Sequence, residues 1–308
     1  MLEVELDIFS GRPNPKWVLS EEEEKELLDI ILSDRTEISP VYTSEVQFGL
    51  GYRGLIVREI KSDEGIWNKT NRALDNPLPN EFRVGSKASK QAAAELLLKM
   101  YKNQKRIVSE ELLEWVSEGV VLLPTTPNKT IEKTDDDEIF RAVRWETCHS
   151  NYFSGRDDHV FNYLYNVRHS NCYAYAANNP GTGRYTLPGL HGGRPILNPS
   201  RSEMNGSLFA DGWTHHSCWP SAQNVLIIAA VIKPSEPWDF HFYRCTQNGP
   251  DWEWGHKPGA TMATGLDDSR ERISNPQTCN RGPYTDFCGY FYHNGPTVTV
   301  KCNNQCYP

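Results

Sequence analysis

The sequence of 308 residues has no long hydrophobic run and no excess of basic residues. Its longest apolar stretch, residues 225–232, has 8 residues, whereas a membrane-spanning helix needs about 20. The 32 Lys and Arg residues are outnumbered by 40 Asp and Glu, which gives a formal net charge of −8. These shortages argue against a membrane span and against a nucleic-acid-binding protein that relies on attraction to phosphates.

Cysteine is absent from the first 147 residues, and all eight cysteines lie between Cys148 and Cys306. An even number of cysteines in a half rich in Gly, Pro and Trp is typical of disulfides formed in an oxidising compartment. We therefore predict an extracellular protein with at least three bridges within residues 148–306. The first residues show no basic-then-apolar leader, so we expect that a signal peptide has been removed from the numbered chain.

Three Asn-X-Ser/Thr sequons, at Asn68, Asn128 and Asn205, agree with secretion. Chance alone gives about one or two sequons in a chain of this length, so they are weak support. We take these three asparagines as candidate glycosylation sites.

The two halves of the chain differ in charge. Residues 1–140 contain 27 acidic and 18 basic residues, whereas residues 141–308 contain 13 and 14. We predict an α+β fold with a small N-terminal α+β domain at residues 1–122, a linker at 123–140 and a disulfide-rich domain at 141–308.

The N-terminal half shows structural patterns but no chemistry. Residues 2–8 alternate between apolar and acidic side chains, which predicts a half-buried strand. Ser20 followed by Glu23 is a capping box, and the apolar spacing predicts a helix to about Ser33. Further helices are predicted at residues 88–101 and 110–118. Because this half has no Cys, no His and no recognisable pair of acids, we interpret it as a binding or packing module.

The C-terminal half carries the polar residues that suggest chemistry. Strands are predicted at residues 225–232, 240–246, 252–256, 287–292 and 297–302. Cys172 lies at the predicted first turn of a helix, where the backbone dipole and free N–H groups favour thiolate over thiol. His241 lies on one predicted strand and His256 on the next. A nucleophilic cysteine needs a base within about 3 Å, and that base needs an orienting group.

This order of Cys172, His241 and His256 resembles the papain-like fold, and more closely its NlpC-type branch. The resemblance covers roughly residues 160–292. It implies a disulfide-rich papain-like α+β domain in which Cys172 is the nucleophile, His241 the base and His256 the orienting residue. The chain departs from the pattern by its Asn171-Cys172-Tyr173 context and by a long insertion before the first strand. Four aromatic residues are candidates to line the substrate cleft: Tyr173, Tyr175, Trp252 and Trp254.

Each of these residues also has a structural interpretation. Eight cysteines can form four bridges, and a disulfide at Cys172 would abolish the thiolate. His241 lies between two phenylalanines and could be a packed structural histidine, while His256 could close a turn. Side chains of the types that bind metals occur at residues 215–218 and at His241 with Cys245, but neither set matches a paired Cys-X-X-Cys or a His-Glu-X-X-His signature, so we predict neither metal nor cofactor. The pair Asp267-Asp268 is more typical of a solvated turn than of a calcium site.

Two functions are therefore compatible with the sequence. The first is a secreted cysteine hydrolase that cuts amide bonds of a peptide, glycopeptide or cell-wall peptide substrate. The alternative is a catalytically inactive, disulfide-stabilised extracellular binding or structural protein with matrix or self-assembly partners. Neither involves nucleic acid or a membrane span.

Overall fold

The computed structural model describes residues 1–42, 47–60, 66–87, 91–103, 110–123, 158–215, 225–247 and 252–303. The chain forms two compact units. The first contains Met1–Ile8, Pro13–Thr43 and Gly51–Leu122. The second contains Phe9–Arg12, Ser44–Leu50 and Leu123–Pro308. Apart from Leu123, the predicted linker lies outside the described residues.

The first unit contains both helices and antiparallel strands, which agrees with the predicted α+β class. Its strands are β1 (Leu2–Leu6), β2 (Lys16–Val18), β3 (Ile38–Ser39), β5 (Leu55–Glu59) and β6 (Glu81–Val84). Its helices are α1 (Glu21–Ser33), α2 (Ile66–Arg72), α3 (Ala92–Asn103) and α4 (Glu110–Ser117), with a 3-10 turn at Arg35–Glu37. Two further short strands do not belong to this set: β4 (Gln47–Phe48) lies in the second unit, and β7 (Leu122–Leu123) lies where the chain passes from one unit to the other.

The strands of the first unit form one antiparallel sheet in the order β2-β1-β5-β6-β3. Helix α1 begins as predicted, because the Ser20 hydroxyl accepts from the Glu23 N–H and the Glu23 carboxylate accepts from the Ser20 N–H. Leu27, Leu28 and Ile31 form its buried stripe. The capping box is confirmed. The first strand is confirmed at Leu2–Leu6, but it is not half-buried as predicted, because the polar residues Glu5 and Asp7 are fully buried too.

Buried charges, which the sequence did not reveal, cross this sheet. Asp7 is fully buried and accepts from Arg53 Nη2 at 2.8 Å and from Arg83 Nη1 at 2.8 Å. The neighbouring Glu5 accepts from Arg58 at 2.5 Å, and Asn14 lies between the two acids. Each of these side chains has a partner within the unit. We therefore interpret the network as stabilising the sheet.

The second unit contains four short helices and a five-stranded sheet among its described residues. The helices are α5 (Asp158–Phe161), α6 (Leu164–Arg168), α7 (Cys172–Ala176) and α8 (Arg201–Ala210). The strands are β8 (Thr214–His215), β9 (Val225–Lys233), β10 (Asp239–Gln247), β11 (Trp252–His256) and β12 (Asp286–Asn294). They are antiparallel in the order β11-β10-β9-β12-β8.

The central strand β9 is buried along its whole length, which explains its unbroken run of apolar residues. The two faces of the sheet carry separate apolar clusters, because successive side chains of a strand point to opposite faces. Phe240 and Phe242 belong to the cluster that contains Cys172. Tyr243 belongs to the other cluster, with Trp254 and Tyr284.

The predicted strand at residues 297–302 is wrong. This segment forms single connections instead of a ladder, through a bridge between Thr186 and Cys302 and a hydrogen bond from Val298 N to the Ala177 carbonyl. Its alternating apolar residues, Val298 and Val300, serve the core as isolated anchors. The apolar residues of this segment are therefore buried, but the segment does not pair as a strand.

The prediction of a disulfide-rich domain is also wrong. Cys172, Cys279 and Cys288 are free thiols, and Cys302 is disulfide-bonded. Of the eight cysteines, three free thiols leave five, which can form at most two bridges rather than the predicted three or more. The apolar surroundings of Cys172 and Cys288 show why: buried cysteine often acts as a small hydrophobic residue.

Candidate functional site

Cys172 is the first residue of α7, as the sequence predicts. Asn171 caps this helix, because its side-chain oxygen accepts from the N–H groups of Tyr173 at 3.1 Å and Ala174 at 3.0 Å. The amide nitrogen of Asn171 donates to the Thr186 carbonyl at 2.8 Å. The cap therefore fixes both the start of the helix and its place in the unit.

Lys257 holds the chain just before this helix. Its fully buried ammonium donates to the carbonyl groups of Val167, Ser170 and Gly259, at 3.2, 2.6 and 2.7 Å. A buried ammonium is tolerated when its donors are satisfied, and here three carbonyl groups do so. No sequence pattern singled out Lys257.

The Cys172 thiol is fully buried, and its Sγ lies 3.7 Å from the Phe240 carbonyl. Burial raises its pKa well above the ordinary value, and the nearby Asp239 charge raises it further. Lys257 acts in the opposite direction but does not offset burial. The thiol is therefore protonated, which is the inert form of a cysteine.

His241 and His256 are brought together. His241 Nε2 lies 2.8 Å from His256 Nδ1, and His256 Nε2 lies 2.8 Å from the Leu266 carbonyl. Both rings are fully buried, and that of His241 also packs against Tyr243 and Tyr284. The contact between the two histidines is the one expected of a base and its orienting residue.

The position of Cys172 relative to this pair is less favourable to catalysis. The thiol packs in the cluster of Phe240 and Phe242, whereas strand alternation points His241 to the opposite face. This arrangement does not favour the predicted contact between Cys172 and His241, which stays a prediction. The complete burial of Cys172 also leaves no path for a substrate in this form of the protein.

Asp239 is a central residue that sequence reasoning missed. Its buried carboxylate accepts from Ser10 N at 2.7 Å, Gly11 N at 3.2 Å, Arg12 N at 3.0 Å and the Tyr284 hydroxyl at 2.6 Å. These hydrogen bonds favour the ionised form, but burial has the larger effect and raises the Asp239 pKa. The partners lie up to 229 residues away in the chain, so no local pattern could have shown them.

The aromatic residues predicted to line a cleft are core residues. Tyr173 and Tyr175 are fully buried, and Trp254 is 3% exposed. The Tyr173 hydroxyl donates to Asp211 at 2.6 Å, and the Tyr175 ring lies under the Arg244 guanidinium at 4.3 Å. The side chain of Trp252 lies outside the described residues. The three described rings do not form an accessible substrate surface.

The candidate glycosylation sites are mostly outside the described structure. Asn128 and the side chain of Asn68 are not among the described residues. Asn205 lies within α8, where it is half-buried and followed by the fully buried Ser207. This differs from the surface loop that is typical of an acceptor sequon.

The metal candidates do not form a site in the described part of the chain. Among these residues, no group of three or more His, Cys, Asp or Glu side chains is placed to hold a metal ion. Asp267 is 5% exposed and accepts from the backbone N–H groups of Ser269, Glu271 and Asn280. Its carboxylate therefore organises a loop, as expected for a turn residue.

Comparison with known proteins provides one informative relative. No family model and no solved structure matches the chain. Insoluble matrix shell protein 1 of Ruditapes philippinarum is 40% identical to it over 123 residues, which are 40% of this chain and 78% of that protein. The chain belongs to the family of insoluble matrix shell protein 1.

This family membership confirms the predicted extracellular location. Of the helices in the described ranges, none is both long and apolar enough to cross a membrane. The papain-like resemblance gains no support from these comparisons and stays a prediction. The absence of disulfide-rich character does not conflict with the extracellular assignment, which rests on the relative.

Proposed function

We propose that this protein is a structural component of an insoluble extracellular matrix and works through contacts with matrix components or with other copies of itself. The observation that carries the proposal is the 40% identity with insoluble matrix shell protein 1 over 78% of that protein. The alternative function considered in the sequence analysis agrees with it, although the free thiols leave at most two bridges instead of the predicted three or more.

The burial of the chemically competent residues supports this proposal. Cys172, His241, His256 and Asp239 are all fully buried and serve as partners within the fold. Enzymes instead keep the reacting atom of a nucleophile within reach of substrate. A protein whose buried polar side chains bind only other groups of the same fold is suited to a structural role.

Matrix association can be tested with the purified full-length chain and the demineralised, insoluble residue of Ruditapes philippinarum shell. We expect the chain to sediment with this residue and to resist washing with salt. An unrelated acidic protein of similar size should stay in the supernatant. The proposal fails if the chain also stays in the supernatant and remains monomeric at high concentration.

Two observations favour a second function, a cysteine hydrolase. The hydrogen bond of 2.8 Å between His241 and His256 is the contact that a base and its orienting residue would make, and Cys172 begins a helix as a nucleophile would. The raised pKa and complete burial of the thiol count against it.

Hydrolysis can be tested with a set of peptide and glycopeptide amide substrates. If the protein is structural, the unaltered chain and a Cys172→Ala variant release equal, background amounts of product. A Cys288→Ala variant is the matched control, because it removes another thiol of the same core cluster. Product formation that is lost in Cys172→Ala and kept in Cys288→Ala would establish the hydrolase.

A further inference from the structure

The segment Phe9–Arg12 belongs to the second unit although it lies near the start of the chain. We call this segment the strap. Its three successive backbone N–H groups, from residues 10–12, all point at the Asp239 carboxylate, at 2.7 to 3.2 Å. Three donors of the strap converge on this one buried carboxylate, so Asp239 is the main anchor of the strap.

The last residue of the strap is held by a second anchor. The Arg12 guanidinium lies over the Trp238 ring at 4.2 Å, and its Nη1 donates to the Trp238 carbonyl at 2.5 Å. Trp238 and Asp239 are adjacent in the chain. Both anchors therefore act on the beginning of β10.

The strap lies against the residues that surround the Cys172 thiol. The Gly11 carbonyl accepts from Asn171, the cap of the helix that begins at Cys172. A Cβ atom added to Gly11 would lie 2.2 Å from the Phe240 ring, so the strap backbone packs directly on this residue. The Phe240 carbonyl is the group that the thiol contacts, at 3.7 Å.

We propose that the strap is a removable cover of Cys172, and that Asp239 is the latch that keeps it in place. While the latch holds, the thiol is buried and unreactive. When the strap lifts, the thiol becomes accessible to an electrophile. This proposal concerns access to one side chain and does not depend on the structural role or on hydrolysis.

Alkylation by iodoacetamide measures this access directly. The Cys172 sulfur forms a bond to carbon, iodide leaves and the thiol proton passes to solvent. We expect Asp239→Asn to raise the rate of Cys172 labelling by about tenfold or more, because at least one strap N–H loses its acceptor. Gly11→Ala should act in the same direction through its clash with Phe240, without changing Asp239.

Two controls separate strap opening from unfolding. Labelling of Cys288, which lies in the same core cluster as Cys172, reports unfolding of the whole unit and should stay slow in both variants. Asp29→Asn removes an exposed carboxylate in α1 and should leave Cys172 labelling unchanged. The proposal is overturned if both variants keep Cys288 protected and label Cys172 at the rate of the unaltered chain.

The unaltered chain provides a test that does not depend on a variant that folds. Hydrogen exchange of the amides at residues 10–12 and labelling of Cys172 should give the same opening equilibrium, because one motion exposes both. If Cys172 labels only as often as the whole unit unfolds while the strap amides exchange faster, the strap does not control the thiol and the proposal fails.

Discussion

Nε2 of His241 and Nδ1 of His256 lie 2.8 Å apart, and between neutral rings His241 is the donor. The direction follows from the third member of the chain of hydrogen bonds. A carbonyl group only accepts, so Nε2 of His256 carries the proton that it shares with Leu266, and Nδ1 of neutral His256 is left as an acceptor. This relay ties β10 to β11 and to the segment that follows it.

Removing His256 should therefore weaken the second unit. We expect His256→Ala to lower the free energy of unfolding by about 2–4 kcal/mol, because it leaves the buried Nε2 of His241 without its acceptor and opens a cavity. Urea unfolding followed by tryptophan fluorescence measures the change. His191→Ala, at an exposed position, is the control and should change little. A loss below about 1 kcal/mol in His256→Ala would contradict the relay.

The close approach of Gly255 to Tyr175 offers a test of packing. A Cβ atom at Gly255 would lie 2.3 Å from the Tyr175 hydroxyl oxygen but 3.4 Å from the ring carbon that bears it. Gly255→Ala should cost about 1–3 kcal/mol through this clash. Tyr175→Phe removes the clashing atom, so the double variant should be more stable than the sum of the single changes predicts. Additive effects in a double-mutant cycle would show that the clash is not the cause.

Much of the regular structure was predictable because local patterns determine it. The capping box at Ser20 and Glu23 forms within four residues, and the strand at β9 follows from its own apolar run. The helix that begins at Cys172 was likewise predicted from the residues that form it, and the structure adds Asn171 as its cap. In each case the residues that decide the structure are neighbours in the chain.

The candidate site was only partly predictable, because its decisive contacts are distant in sequence. The pairing of His241 with His256 joins neighbouring strands, 15 residues apart, and spacing was enough to suggest it. In contrast, the hydrogen bond from Ser10 N to the Asp239 carboxylate joins residues that are 229 positions apart in the chain. The even number of cysteines was a poor guide to disulfide bonding. Cys172 and Cys288 are free thiols that pack as small apolar residues in the core.

The buried ion cluster of the first unit predicts a large effect from a small change. Asp7 faces Arg53 and Arg83 with no exposed surface. Asp7→Asn should lower the free energy of unfolding by about 3–5 kcal/mol, because it leaves buried positive charge uncompensated. Glu3→Gln, which weakens a partly exposed pair with Lys16, should cost less than about 1 kcal/mol. Equal losses in chemical denaturation of the two variants would contradict the assignment.

Buried tyrosines predict that stability falls in alkaline solution. Burial raises the pKa of Tyr173, Tyr243 and Tyr284 well above the ordinary value of about 10. The folded state thus keeps protons that the unfolded state releases. The stability from these groups is complete below pH of about 10 and is lost as the pH rises through and above that value. Urea midpoints measured from pH 8 to 11 should fall, and tyrosinate absorbance should rise together with unfolding.

A Tyr284→Phe variant separates this effect from a general alkaline instability. It removes one of the protons held by the fold, so its free energy of unfolding should fall with pH less steeply, by up to about 1.4 kcal/mol per pH unit. The variant also deprives Asp239 of a donor, which lowers stability at every pH and leaves the slope as the diagnostic quantity. An unchanged slope, or tyrosinate absorbance from all 14 tyrosines while the chain is still folded, would show that these hydroxyl groups are not protected by burial.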